Sequence, residues 1–340
     1  MHLLKLNLNK KPWLISLVLA LAIVGYSALF IVLTLWKYSH FYYDNLDLAI
    51  FNNVFFNTIH GNLFGASIHP PSYLIDHFSP IILILAPIYA LFPGPQTLLV
   101  LETIFFALCA WPLYLCAKKI LGEKRQVLAL GIALAWLVNP LVHNANFYEV
   151  HLVPIAIFFL FWTVYWYLTD RPWLFAIGAF ASLLVREDFA LIVIFFSVLA
   201  FIDKRKLFWK IYPAVLAILY LILSFWLITH FSPFGSYKFT LFYSWLGGTT
   251  VTSIALSFVL HPIQLLRHLI TEQNIEFLLG LTFPFFFIVI TRNKFLWLLA
   301  APMAQILLAA DGGGALILYT HYGSFFLVAL SGSSLFVVEW

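Results

Sequence analysis

From Trp13 to Trp36 the chain carries no charged residue, and at about 1.5 Å per residue a helix over that stretch outreaches a hydrocarbon core of about 30 Å. In lipid, such a segment must satisfy its backbone polar groups internally, which leaves the α-helix as the form it can take. Comparable apolar stretches recur to the end of the chain. With 63% apolar and 9% charged residues, against about 25% charged in a soluble domain, the chain reads as an all-α, polytopic integral membrane protein. Cys109 and Cys116 lie seven apart within one apolar stretch, a helix-buried spacing that fits neither a disulfide nor a metal knuckle.

Apolar periodicity and length predict about ten spans, near 14–36, 95–117, 126–141, 152–168, 172–185, 189–202, 209–230, 276–291, 295–310 and 323–338, in a single transmembrane domain covering 1–340. The piece 79–92 is short, contains Pro87 and stops at Pro93-Gly94-Pro95, so it reads as an interfacial helix. Lys5, Lys10 and Lys11 precede a first helix that is too long for a signal peptide and lacks a small-residue cleavage site. The expectation is an uncleaved anchor with a cytoplasmic N-terminus, in a multi-pass protein of the plasma (inner) membrane. This placement puts 14 of the 18 basic residues inside and leaves Lys37, Arg186, Lys238 and Arg267 outside. The charge is a topology signal, with no basic patch that suggests nucleic acid.

Polar chemistry then gathers on the outer side, in a first exoplasmic loop at 37–94 and a second exoplasmic segment at 232–275. Asp47 to His60 has helical periodicity: Leu48, Phe51, Phe55 and Ile59 form an apolar stripe, and Asn53, Asn57 and His60 a polar face. Asp44 has the spacing of an N-cap for this helix, and Asp47 falls in its first turn, favoured by the helix dipole yet able to face a cavity. Asp76-His77-Phe78-Ser79-Pro80 reads either as a solvated loop pair or as a metal or phosphate site. Glu149 and His151 pair a carboxylate with an imidazole at an outer helix end. Arg186-Glu187-Asp188 sits between helices too short to clear a membrane, so these groups either bridge one another or line a water-filled cavity. The triple glycine after Asp311 lacks the lysine of a phosphate loop.

Asp47-Leu48-Ala49-Ile50-Phe51, His60-Gly61-Asn62, His77-Phe78-Ser79-Pro80, Arg186-Glu187-Asp188 and His321-Tyr322 resemble, in order, the boxes of a family of predicted membrane proteins known as domain of unknown function 2079. The long first loop with its acidic residue, interfacial helices and Gly-Pro turn into helix two looks like the GT-C-fold membrane glycosyltransferases. What that resemblance implies is an enzyme using a polyprenyl-phosphate sugar, with an acidic residue of the first loop as base, by position Asp47 with Asp44 as the alternative. His77, Arg186, His151, His321 and Tyr322 are then the donors available to a leaving phosphate, and Asp76, Glu149, Glu187 and Asp188 line the cavity. A divalent metal held by some of Asp76, His77, Glu149 and His151 is a further expectation, although no spacing is diagnostic. The chain departs from the best-known GT-C members in lacking an adjacent acidic pair in this loop and a large soluble C-terminal domain. It also lacks a basic flank after Glu339-Trp340, so the expectation is a longer natural chain or a weakly anchored last helix. The competing class is a transporter or lipid flippase, which intramembrane charge would serve equally well; an assembly partner is a third reading.

Overall fold

The computed structural model describes residues 12–310 apart from positions 45, 69–70, 234, 236, 248–249 and 284–293, and beyond them 320, 323 and 326. Among the described residues the fold is all-helical, with one isolated β-bridge between Gly65 and Ser72. Four segments are long and apolar enough to cross a membrane: Pro12–Ser39, Pro95–Leu121, Glu123–Tyr148 and Leu207–Phe231. Ile81–Leu91, Val153–Leu168, Pro172–Leu183 and Lys294–Leu307 are shorter and equally apolar. The second half of the span expected at 276–291 and, apart from 323 and 326, the span expected at 323–338 lie outside the described residues.

α1 (Pro12–Ser39) packs against α4 (Pro95–Leu108), and its outward side, including Leu21, Val24 and Val32, is exposed as a lipid-facing surface would be. α4 gives way at Cys109 to α5 (Ala110–Leu121). Pro112 explains the break, because it cannot donate to the carbonyl one turn back at Leu108. The span expected at 126–141 is longer than its apolar run. After α6 (Gln126–Leu137), Asn139 accepts from Leu141 N at 2.8 Å, and Pro140 starts α7 (Pro140–Tyr148) at a position that needs no donor.

α8 (Val153–Leu168) packs on α5 and closely on α9 (Pro172–Leu183), where a Cβ at Gly178 would stand 2.6 Å from Thr163 Oγ1. α9 rises only about 18 Å. It is followed by a 3-10 turn at Glu187–Phe189 and then by α10 (Ala190–Val193) and α11 (Phe195–Ile202), so the expected 189–202 helix exists in broken form. α12 (Leu207–Phe231) returns along α9, α10 and α11. Tyr167, Phe175, Phe196 and Trp209 fill the junction with ring centroids 4.9–6.1 Å apart.

The first loop folds over one end of this bundle. α2 (Leu46–Ile59) buries Leu48, Phe51, Val54 and Phe55, much as its stripe predicts, and packs on α3 (Ile81–Leu91) through Phe55 and Tyr89. Its polar face holds the returning chain: Ser67 N donates to Asn53 Oδ1 at 2.8 Å and Asn57 Nδ2 to Gly65 O at 2.9 Å. α3 leaves Leu83, Ile84, Ile88 and Leu91 exposed, as an interfacial helix would. The second segment supplies a 3-10 helix at Lys238–Leu246, α13 (Val251–Leu260) and α14 (Pro262–Leu269), followed by α15 (Glu272–Thr282) and α16 (Ala300–Leu307).

Candidate active site

Where the first loop meets the bundle, a cavity of about 310 Å³ opens between the first turn of α2, the loop before α3, the α7–α8 connection, the α9–α10 turn and the start of the Lys238–Leu246 helix. Asp47, Asp76, His77, His151, Arg186 and Lys238 all line it. Ionisable groups from five separate elements thus share one recess, set among Ile50, Phe51, Leu152, Val185 and Phe239.

Asp47 and His151 face each other, with Oδ2 to Nε2 at 3.5 Å. Burial, helped by the negative charge of Glu149 and opposed by His77, pushes the Asp47 carboxyl up to about 6. Burial also drives His151 well below the usual histidine range, and the charges of Arg186 and His77 act in the same direction. His151 is therefore a neutral imidazole at pH 7. It is held from behind by Glu102 on α4, whose Oε1 accepts from His151 N at 3.1 Å and whose Oε2 is buried with no hydrogen-bond partner among the described residues.

Glu187 organises the opposite wall although it is not itself part of the lining. Its carboxylate, 1% exposed, bonds His77 Nδ1 at 2.8 Å and accepts from Phe78 N at 3.0 Å and Tyr237 OH at 3.0 Å. Burial alone would raise its pKa. The charge and hydrogen bond of His77, with Arg186 beside it, outweigh burial and hold the carboxyl below the usual glutamate range. Arg186 is clamped by both oxygens of Asp188, at 2.9 and 2.5 Å, and Lys238 is paired with Asp76. Both alternatives read from Arg186-Glu187-Asp188 are present together: Arg186 and Asp188 bridge, and Arg186 also faces the cavity.

Several expected positions lie elsewhere. Glu149 is not in the cavity lining: it turns its Oε2 to the backbone N–H of Leu48, 2.8 Å away, and serves the start of α2. Asp44 is exposed and outside the lining, and Asp188 is spent on Arg186. His321 and Tyr322 lie outside the described residues. The proposed metal set Asp76, His77, Glu149 and His151 does not assemble, because each side chain has a different partner, and no group of three or more His, Cys, Asp or Glu converges among the described residues.

Lys238 and Glu102 were not singled out from the sequence, yet each left a trace there. Lys238 is one of the four cations that break the inside bias, and Arg186, another of them, lines the same cavity. A third, Lys37, donates from Nζ to Phe147 O at 2.6 Å, one residue before Tyr148 of the lining. Glu102 is an acid inside an otherwise apolar span. No curated protein and no solved structure matches the chain. The family described as predicted membrane protein (DUF2079) matches residues 37–340. A bundle of apolar helices, four of them long enough to span a bilayer, under a folded first loop is thus the form taken here by a member of that family of membrane proteins of unknown function, to which this chain belongs.

Proposed function

We propose that the chain is a membrane glycosyltransferase of GT-C type, moving a sugar from a polyprenyl-phosphate donor to an acceptor at the exoplasmic face. The observation that carries this reading is the placement of Asp47, its carboxyl raised to about 6, in one cavity with the cations Arg186 and Lys238. A carboxylate so tuned is mostly ionised at pH 7 and still basic enough to take a proton from an acceptor hydroxyl. As that oxygen bonds to the anomeric carbon, the bond from this carbon to the phosphate oxygen breaks, and the electron pair leaves with the polyprenyl phosphate. Arg186, Lys238 and His77 stand where the departing charge would be met.

Under this reading the lipid tail also has a seat. An apolar cleft of about 420 Å³, bordered by Leu191, Phe225, Ile254 and Ala301, adjoins the polar cavity at Phe239, which lines both. The decisive assay follows transfer from a panel of polyprenyl-phosphate sugars by the purified protein in nanodiscs, for wild type and Asp47→Asn. Transfer by the wild type that fails in Asp47→Asn supports the reading. Equal turnover in both removes Asp47 from the chemistry, and lipid movement without sugar transfer puts a flippase in its place.

A further inference from the structure

At the other end of α8, α9, α11 and α12 lies a second polar cavity, of about 530 Å³, lined by charged residues from three separate chain segments. Two helices end there in the same way. Arg171 N bonds Trp166 O at 2.9 Å after α8, and Arg205 N bonds Ala200 O at 2.9 Å after α11, each closing a six-residue turn around a left-handed residue. Glycine is the usual occupant of that position, because it alone adopts positive φ without strain. Here the occupants are Asp170, at φ 56°, and Lys204, at φ 51°. Four non-glycine residues have positive φ among those described, and two of them line this one cavity. At Asp170 the charge is spent on Arg205, whose guanidinium lies 3.2 Å from Oδ1, while at Lys204 the strain places an exposed cation at the cavity, which points to use of that charge.

The wall between the two turns is pre-arranged. The Arg205 guanidinium lies 3.9 Å from the ring centroid of Tyr167 and 4.9 Å from that of Trp209, which fixes its plane. Asp203 accepts from Tyr167 OH at 2.8 Å and from Lys294 Nζ at 2.6 Å. Arg205 is paired with Asp170 and Lys294 with Asp203, and Lys204 and Lys206 stand exposed at the mouth as the cations a phosphate would meet first. α12 begins here as well, with Lys206 at its N-cap making no side-chain cap; Trp209 N turns back to Lys206 O at 3.1 Å, and the amides of Leu207 and Phe208 are the first-turn donors at this end of the cavity. Cations near helix C-termini answer the helix dipole in any protein, but glycine at the left-handed positions would serve those termini better. The source of the anion is indicated by the surroundings: Phe201, Ile202, Leu207 and Trp173 are all exposed beside these turns, a ring of apolar side chains of the kind that meets acyl chains below a headgroup.

We propose that this cavity binds the phosphate of an anionic phospholipid headgroup from the adjacent leaflet, which by the basic-residue bias is the cytoplasmic one. The proposal stands apart from the reading of the Asp47 cavity. Its test is thermal unfolding of the purified full chain in detergent, titrated with phosphatidylglycerol, phosphatidylcholine or inorganic phosphate. Phosphatidylglycerol is expected to raise the melting temperature saturably while the other two do not. Lys204→Gly should raise the basal melting temperature by relieving the left-handed strain and yet weaken the phosphatidylglycerol response on the order of fivefold, as should Lys206→Gln. Lys124→Gln, outside the cavity, should leave the response unchanged. An equal response to phosphatidylcholine, an equal response to inorganic phosphate, an undiminished response in Lys204→Gly, or the same loss in Lys124→Gln would each overturn the proposal.

Discussion

Glu149 caps helix α2 across a hundred residues of chain: its Oε2 accepts from Leu48 N at 2.8 Å, with the carboxylate 3% exposed. Leu48 is one of the first-turn donors that a helix cannot satisfy itself, and its neighbour Asp47 is the cavity carboxylate. Glu149 is thereby a positioning residue. Glu149→Ala should cost about 1–2 kcal/mol of stability, the usual range for a lost cap made by a charged group. Glu149→Gln retains an acceptor oxygen and should recover most of it. Melting curves of the two variants check this, and equal loss in both would contradict a capping role.

Asp47 should trade stability for activity. Its carboxyl is raised from 3.8 to about 6, so between roughly pH 4 and pH 6 the folded state binds more protons than the unfolded state, and stability falls as pH rises through that window. At pH 7 the penalty is fully present. Asp47→Asn removes it and should stabilise the fold on the order of 1 kcal/mol, after discount for the open cavity. If Asp47 is the base, turnover should fall by roughly 10² or more in the same variant, and the wild-type rate should rise with pH through an apparent pKa near 6. Asp44→Asn, at an exposed site off the cavity, should change stability by no more than about 0.5 kcal/mol. Loss of turnover in Asp44→Asn with full turnover in Asp47→Asn would move the base to Asp44.

Glu187 has the opposite sign. Its carboxyl is held below the usual glutamate range, so its contribution is complete above the unfolded pKa and is lost as pH falls through the folded value. It ties His77, Phe78 N and Tyr237 together at 1% exposure. Glu187→Ala leaves all three without their acceptor and should cost about 3–5 kcal/mol, as loss of one partner of a buried charged pair does. Wild type should lose stability below about pH 4, and Glu187→Gln should flatten that acid limb. Denaturation as a function of pH reads both effects, and an unchanged acid limb in Glu187→Gln would assign it to other carboxylates.

Periodicity and apolar length carried the helical class, and the stripe of α2 is visible because Leu48, Phe51 and Phe55 repeat at helical spacing. The convergence of Asp47, His77, His151 and Arg186 followed from scarcity, since a chain so poor in charge gathers its ionisable groups where protein or water can receive them. What local sequence could not carry is partner choice. Glu149 resembles a cavity acid from its place beside His151, but the donor it serves lies on α2, far away in sequence. Lys238 sits in a segment without charged neighbours, and only the folded chain brings it to Asp76. The break at Asn139 is likewise a capping event that apolar windows average away.

The side assignment can be tested with single cysteines, since Cys109 and Cys116 are buried. Leu63→Cys lies on an exposed stretch of the first loop and should be labelled by a membrane-impermeant thiol reagent from outside intact cells. Lys124→Cys, exposed between α5 and α6, should be labelled only after permeabilisation. The reverse pattern would invert the topology and place the Asp47 cavity on the cytoplasmic side.

The pair of Lys238 and Asp76 offers a test of phosphate recognition that does not touch the base. Asp76 is 7% exposed and occupies the Lys238 ammonium, while burial lowers the lysine's pKa, so a phosphate entering the cavity must compete with Asp76 for that cation. Lys238→Ala should therefore raise the donor KM, on the order of tenfold, because a charge-assisted contact contributes about 1.5 kcal/mol or more. Asp76→Asn should act in the opposite sense, lowering the donor KM by releasing Lys238, with turnover little changed. A structural role alone would make both variants lose activity together and lower the melting temperature of each. KM values for both variants with one polyprenyl-phosphate sugar, taken with their melting temperatures, separate the two cases: opposite shifts in KM place the phosphate at Lys238, and parallel losses make the pair a strut of the cavity wall.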